Sequence, residues 1–205
     1  MRTIKKVASH IFIDGFGGMT QGLFATLIIG TMIQQIGLLI GGSTGNVIYL
    51  LGKAAAALTS AGIGVGVAVK YGESPLVTVS AAVAAMVGGY AGKITGGTFF
   101  VDGNAVLAGP GEPLGAFIAA FAGITCGHLV SGKTKVDIIV TPVITIGAGS
   151  VVGLLVGPPI SQMMTGLGSI INWATEQRPF IMGIVVSVVM GMVLTLPISS
   201  AALGI

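Results

Sequence analysis

The feature that most limits this chain is its shortage of charge: nine basic and six acidic residues among 205, or 7%, beside 53% apolar residues. A soluble domain carries roughly 25% charged residues. Too few polar side chains are present to coat a water-facing surface, so the surface must face lipid. The 35 glycines point the same way, because helices in a bilayer associate through close backbone approach over small residues. The predicted fold class is an all-α polytopic membrane protein, one membrane domain over residues 1–205.

Several function classes fall away at once. Cys126 is the single cysteine, which rules out an intrachain disulfide and a multi-cysteine metal site and reads as a buried thiol. The net charge of +3 comes from basic residues scattered singly between apolar runs. They form no stripe that could track phosphates, so no nucleic-acid partner is expected and the charges read as topology signals. Phosphate-binding loops, zinc spacings, nucleophile elbows and dinucleotide fingerprints are all missing from the sequence. No metal, cofactor or catalytic residue is expected.

About twenty apolar residues are needed to cross the ~30 Å hydrocarbon layer. Residues 19–40, 54–69, 76–92, 114–130, 137–156 and 180–205 qualify, several of them short, giving about six transmembrane helices. Ahead of them, residues 1–18 carry Ile4, Val7, Ala8, Ile11 and Phe12 at helical spacing with Arg2, Lys5 and Lys6 elsewhere, as suits an interfacial helix. Asp14 and the glycines after it break any signal-peptide pattern, so no cleavage is expected. A cytoplasmic N-terminus puts Arg2, Lys5, Lys6, Lys70, Lys133 and Lys135 inside and Lys53, Lys93 and Arg178 outside, in keeping with the positive-inside bias. A multi-pass protein of the plasma membrane follows.

Two stretches depart from plain spans. Residues 93–113 (KITGGTFFVDGNAVLAGPGEP) are too broken by glycine and proline for a lipid-facing helix and suit a re-entrant loop enclosed by protein or water. Residues 157–179 run between prolines with Ile160, Met163, Met164, Leu167, Ile170 and Ile171 on one face and Trp173 near the end, which predicts an interfacial amphipathic helix.

Residues 38–60 align without a gap on residues 154–176, sharing Leu-Leu, a glycine, a central Leu-Gly and a late threonine. This suggests an internal repeat of the kind many transporters contain. The first copy would span 19–137, including the broken loop 93–113, and a partial second copy 138–205. The chain ends inside an apolar run at Leu203-Gly204-Ile205, so the second copy reads as truncated.

Ionisable and polar groups at membrane depth mark candidate sites. Glu112 leads, in Gly109-Pro110-Gly111-Glu112-Pro113. It is placed either to favour the start of a helix through the dipole or to accept hydrogen bonds from sugar hydroxyls. Asp102 and Asn104 lie on the same loop, as cavity lining or as turn residues. His128 closes the fourth span and could bind substrate or merely occupy the interface. Gln34 and Gln35 within the first span join helices or line a path, while Asn172, Glu176 and Gln177 form a wet face and His10 is solvated.

Residues 157–161 (GPPIS), 170–177 (IINWATEQ) and 190–202 (MGMVLTLPISSAA) resemble the phosphotransferase-system EIIC-like membrane family, which includes perfringolysin-regulator-like proteins. The resemblance implies a sugar permease that binds and translocates a carbohydrate and works with cytoplasmic phosphotransferase subunits, carrying no phosphorylated residue of its own. Glu112-Pro113 looks similar to the Glu-Pro pair of that family's sugar site. The alternative is a membrane sensor or regulator that binds a ligand or partner without transport. Helix faces rich in small residues favour a homodimer in either case.

Overall fold

The computed structural model describes residues 14–101, 103–107, 109–175, 182–184, 186–188 and 191. Most of the expected interfacial helix 1–18 and most of the sixth span 180–205 therefore lie outside the described residues. Within them the chain is helical apart from one two-stranded hairpin and its loops. Helix α1, Phe16–Ile40, holds a π-helical turn at Phe24–Ile28. Within that turn the Thr26 hydroxyl donates back to Gly22 O at 2.8 Å. Among the described residues three helices are long and apolar enough to cross a membrane, four if a bent pair counts as one span.

The bent pair is α2, Gly42–Ala57, and α3, Thr59–Lys70, inclined by 53°. The chain enters it through Gly41 (φ 65°) and Gly42 (φ 64°), a left-handed double turn that residues with a Cβ resist. It then runs back antiparallel along α1. Gly18 opposes Gly66, Gly30 opposes Gly52 and Gly37 opposes Gly45, so closely that a Cβ on Gly18 would sit 2.6 Å from Gly66 O. Small residues let the backbones touch, which is how apolar helices gain packing energy in lipid.

Helix α4, Pro75–Gly89, starts with Ser74 accepting from Val77 N–H at 3.4 Å and proline at the first position, a favourable helix start. It packs antiparallel to α3 and to α6, Pro113–Val130. Between α4 and α6 lie the short helix α5, Ala91–Thr95, and the hairpin β1, Phe100–Val101, with β2, Asn104–Ala105. Helix α7, Asp137–Thr175, begins where Asp137 Oδ1 accepts from Thr141 Oγ1 (2.6 Å) and Gly132 N–H (2.9 Å). It lies along α4 and α6 through Gly149, Gly153 and Gly157. The core joins Met19, Leu23, Leu27, Ile63, Val67, Val77, Phe117 and Ile124 with alanines between them.

Two boundaries differ from expectation. The second span is not residues 54–69 alone: α2 precedes it, so Lys53 belongs to a helix and not to an outer loop. The expected break at Gly157-Pro158-Pro159 is also missing, since α7 runs through Pro142, Pro158 and Pro159 and replaces the separate span 137–156 and interfacial helix 157–179. Each proline removes one backbone hydrogen bond, but neighbouring helices re-satisfy such groups in membrane bundles. Here Gly153 and Gly157 bring α7 against α4, with a Cβ on Gly153 only 2.8 Å from Gly88 Cα.

Candidate ligand site at the helix break

Three irregular pieces of backbone meet at one place: the α2–α3 break, the C-terminal end of α4, and the Gly109-Pro110-Gly111-Glu112 loop. Leu58 (φ −87°, ψ 10°) marks the break. The Tyr90 hydroxyl reaches across it, donating toward Ala57 O at 3.3 Å and toward Gly109 O. Ser60 Oγ donates to Pro110 O at 3.0 Å, and Glu112 N–H to Gly89 O at 2.6 Å. Gly111 adopts φ 74° and passes so near Ser60 that a Cβ there would lie 2.5 Å from Ser60 Oγ. The loop is thus held by the Tyr90 and Ser60 hydroxyls, which donate to its Gly109 and Pro110 carbonyls, and by the Gly89 carbonyl that the end of α4 leaves open.

Glu112 is the N-cap of α6, yet its carboxylate makes no capping hydrogen bond. Its Oε1 is buried without a hydrogen-bond partner. Leaving a buried acceptor unpaired costs roughly 1–3 kcal/mol, and more for a charged group, so such an atom calls for a reason beyond folding. Pro113 holds the first helical position, where a missing N–H is harmless. Above the loop, Phe99 packs against Tyr90 at 5.4 Å and Lys93 Nζ lies 5.4 Å from the centre of the Tyr90 ring.

The other candidates separate. Asn104 is exposed on β2, paired with Val101 across a two-residue turn that contains Gly103 (φ 78°). That is hairpin geometry, in which glycine supplies the left-handed turn position. Asp102 lies outside the described residues. His128 stands near the opposite end of α6, about 24 Å from Glu112 at 1.5 Å per residue. There its Nδ1 contacts Glu73 Oε1 at 2.9 Å, and its side chain is 71% exposed. At that same end burial, then the Asp14 carboxylate, push the Tyr71 hydroxyl up. Gln34 turns toward α2 beside Gly52, Gln35 is exposed, and Trp173 is 55% exposed.

The sequence singles out Glu112 as a candidate and does not point to Ser60, Tyr90 or the Ala57 carbonyl around it. A polar residue at a helix break was the available signal for Ser60, but nothing local marks its partner fifty positions on. Cys126 is a free thiol, only partly buried. Among the described residues no group of three His, Cys, Asp or Glu side chains could hold a metal ion.

No curated protein and no solved structure matches the chain. The family described as "Phosphotransferase system, EIIC" matches residues 13–205. With apolar helices of spanning length and a match over nearly its whole extent, this chain is a membrane protein that belongs to the phosphotransferase system EIIC family.

Proposed function

We propose that the chain is the permease component of a phosphotransferase-type sugar transporter, and that the Glu112 loop binds the carbohydrate. One observation carries this reading: a carboxylate oxygen buried without a partner, on a loop held between a broken span and the end of a helix. Transporters place discontinuous helices and irregular backbone around their substrates, because freed carbonyls and amides can then serve the ligand. A sugar hydroxyl donating to Glu112 Oε1 would satisfy the orphan atom.

Under this reading the chain makes and breaks no bond itself. It passes the sugar across the plasma membrane to cytoplasmic phosphotransferase subunits, as a multi-pass homodimer with a cytoplasmic N-terminus. Asn104 stands on the hairpin above the site, and His128 acts at the far end of α6. The proposed repeat, 19–137 and 138–205, supplies the two parts that move against each other.

The test is thermal stabilisation of the purified chain by a panel of sugars, because a ligand that binds the folded state raises its stability. A sugar that stabilises the native chain but not Glu112→Gln, with the variant folded and expressed normally, supports the assignment. Equal stabilisation of both overturns it. Ligand-dependent stabilisation without uptake into vesicles would instead favour a sensor.

A further inference from the structure

The fold gives Glu112 little that would hold a negative charge. Its Oε1 is buried without a hydrogen-bond partner, and much of what surrounds the start of α6 is backbone. A Cβ on Gly89 would strike Ser60 Oγ and lie 3.3 Å from Ala116 Cβ, and one on Gly115 would lie 2.7 Å from Gly88 O and 3.8 Å from Gly157 Cα. The first turn of α6 is therefore wedged against the end of α4, the first turn of α3 and the middle of α7.

The titratable and charged groups of these elements are engaged or placed elsewhere. From the end of α4, the Tyr90 hydroxyl is spent on the carbonyls of Ala57 and Gly109. From α5, Lys93 Nζ stands over the Tyr90 ring, 5.4 Å from its centre. Lys53 of α2 is exposed, and Asp102 lies outside the described residues. Lys70 of α3, His128 of α6 and Asp137 of α7 sit at or near the far ends of their helices.

A carboxylate buried without donors or a cation is so costly that the group takes up a proton instead. Glu112 stands on the loop ahead of the spanning helix α6, where burial pushes its carboxyl up to about 7 and the Leu114 N–H, outside capping geometry, opposes this only in part. The residue as a whole is only partly buried, which leaves the group open to proton exchange.

We propose that Glu112 carries a proton while the site is empty and releases it when a carbohydrate binds, so that proton and sugar exchange at this loop. This rests on the permease reading above. Sugar hydroxyls are donors, and hydrogen bonds donated to a carboxylate favour its charged form. On binding, the carboxylic O–H bond breaks, its proton passes to water, and the carboxylate accepts from sugar hydroxyls; no bond of the sugar changes. Below the pH at which the empty site ionises, protons compete with the sugar and affinity rises about tenfold per pH unit; above it, affinity is flat.

The experiment uses the full chain in lipid nanodiscs, with infrared titration of protonated carboxyl groups beside binding of a panel of hexoses and disaccharides. At about pH 6, where an ordinary carboxyl is ionised, the empty native chain should show a protonated carboxyl band that Glu112→Gln lacks and Glu73→Gln keeps. A sugar that binds should abolish that band and release a proton, and its affinity should be about tenfold higher at about pH 6 than at about pH 5. The pH dependence is read on the native chain alone, so it decides the matter whether or not Glu112→Gln folds. A missing Glu112 band, a band that survives sugar binding, or an affinity that stays level or falls over this range overturns the proposal and spares the permease reading. No binding of any sugar at any pH sinks both.

Discussion

Residues 38–60 and 154–176 align in sequence, yet the first segment turns back on itself and the second continues as one helix to Thr175. At the start of the first, Gly41 and Gly42 take positive φ and reverse the chain into α2. At the aligned place in the second, Gly157 is followed by Pro158 and Pro159, and α7 continues through them. The difference follows from backbone chemistry. A proline ring locks φ near −65°, so it cannot enter the left-handed region that the turn requires, and it can sit in a helix whose neighbours accommodate the lost hydrogen bond. The residues usually read as helix breakers thus do opposite things here: glycine makes the hairpin, and proline prevents one.

The largest effect should come from writing the second segment's residue into the first. Gly42→Pro demands a negative φ where the chain has 64°. The α1–α2 hairpin should not close, at a loss of about 3 kcal/mol or more. Spin labels at Leu39 and Val47, both exposed, should show their short separation lengthen and broaden. An unchanged distance distribution would mean that the turn does not depend on left-handed glycine.

A smaller effect separates the two segments further along. Gly52 in α2 is pressed against α1, with a Cβ placed there 2.5 Å from Gly30 O and 2.6 Å from Gln34 N. Both neighbours are backbone and cannot swing aside. Gly52→Ala should therefore destabilise by about 1–3 kcal/mol, the usual range for overpacking a tight contact. A lowered denaturation midpoint in detergent, read by reactivity of the single thiol Cys126, would report it. An unchanged midpoint would show that α1 and α2 are not in this close register.

Much of this architecture could be read from the sequence, because apolar runs of spanning length dominate it. Residues 19–40 and 114–130 fell within a residue or a few of α1 and α6. The structure departs from the sequence where local propensity alone speaks: a proline pair at 158 suggests a helix end, and Lys53 suggests a loop. The first rule weakens where neighbouring helices supply packing and hydrogen bonds, and the second fails where an apolar helix itself carries a lysine. The site divides the same way. Glu112 stood out because an acid in a Gly-Pro frame is rare in such a chain, whereas Ser60 and Tyr90 join it through contacts distant in sequence. His128 shares a helix with the loop, and the length of that helix is what keeps it apart.

The smallest effect should reverse sign at the residue aligned with Gly52. Gly168 lies within α7, and a Cβ placed there would meet nothing within 4 Å among the described residues. With no contact to violate, replacing it affects only the helix itself. Alanine lowers the entropy lost on folding and suits a helix interior better than glycine by about 0.5–1 kcal/mol. Gly168→Ala should therefore raise the denaturation midpoint slightly, while Gly52→Ala lowers it. Opposite signs at aligned glycines would tie the difference between the segments to what each helix touches. Destabilisation at Gly168 would show a close neighbour on that face of α7, and the contrast between a packed first segment and an open second one would fail.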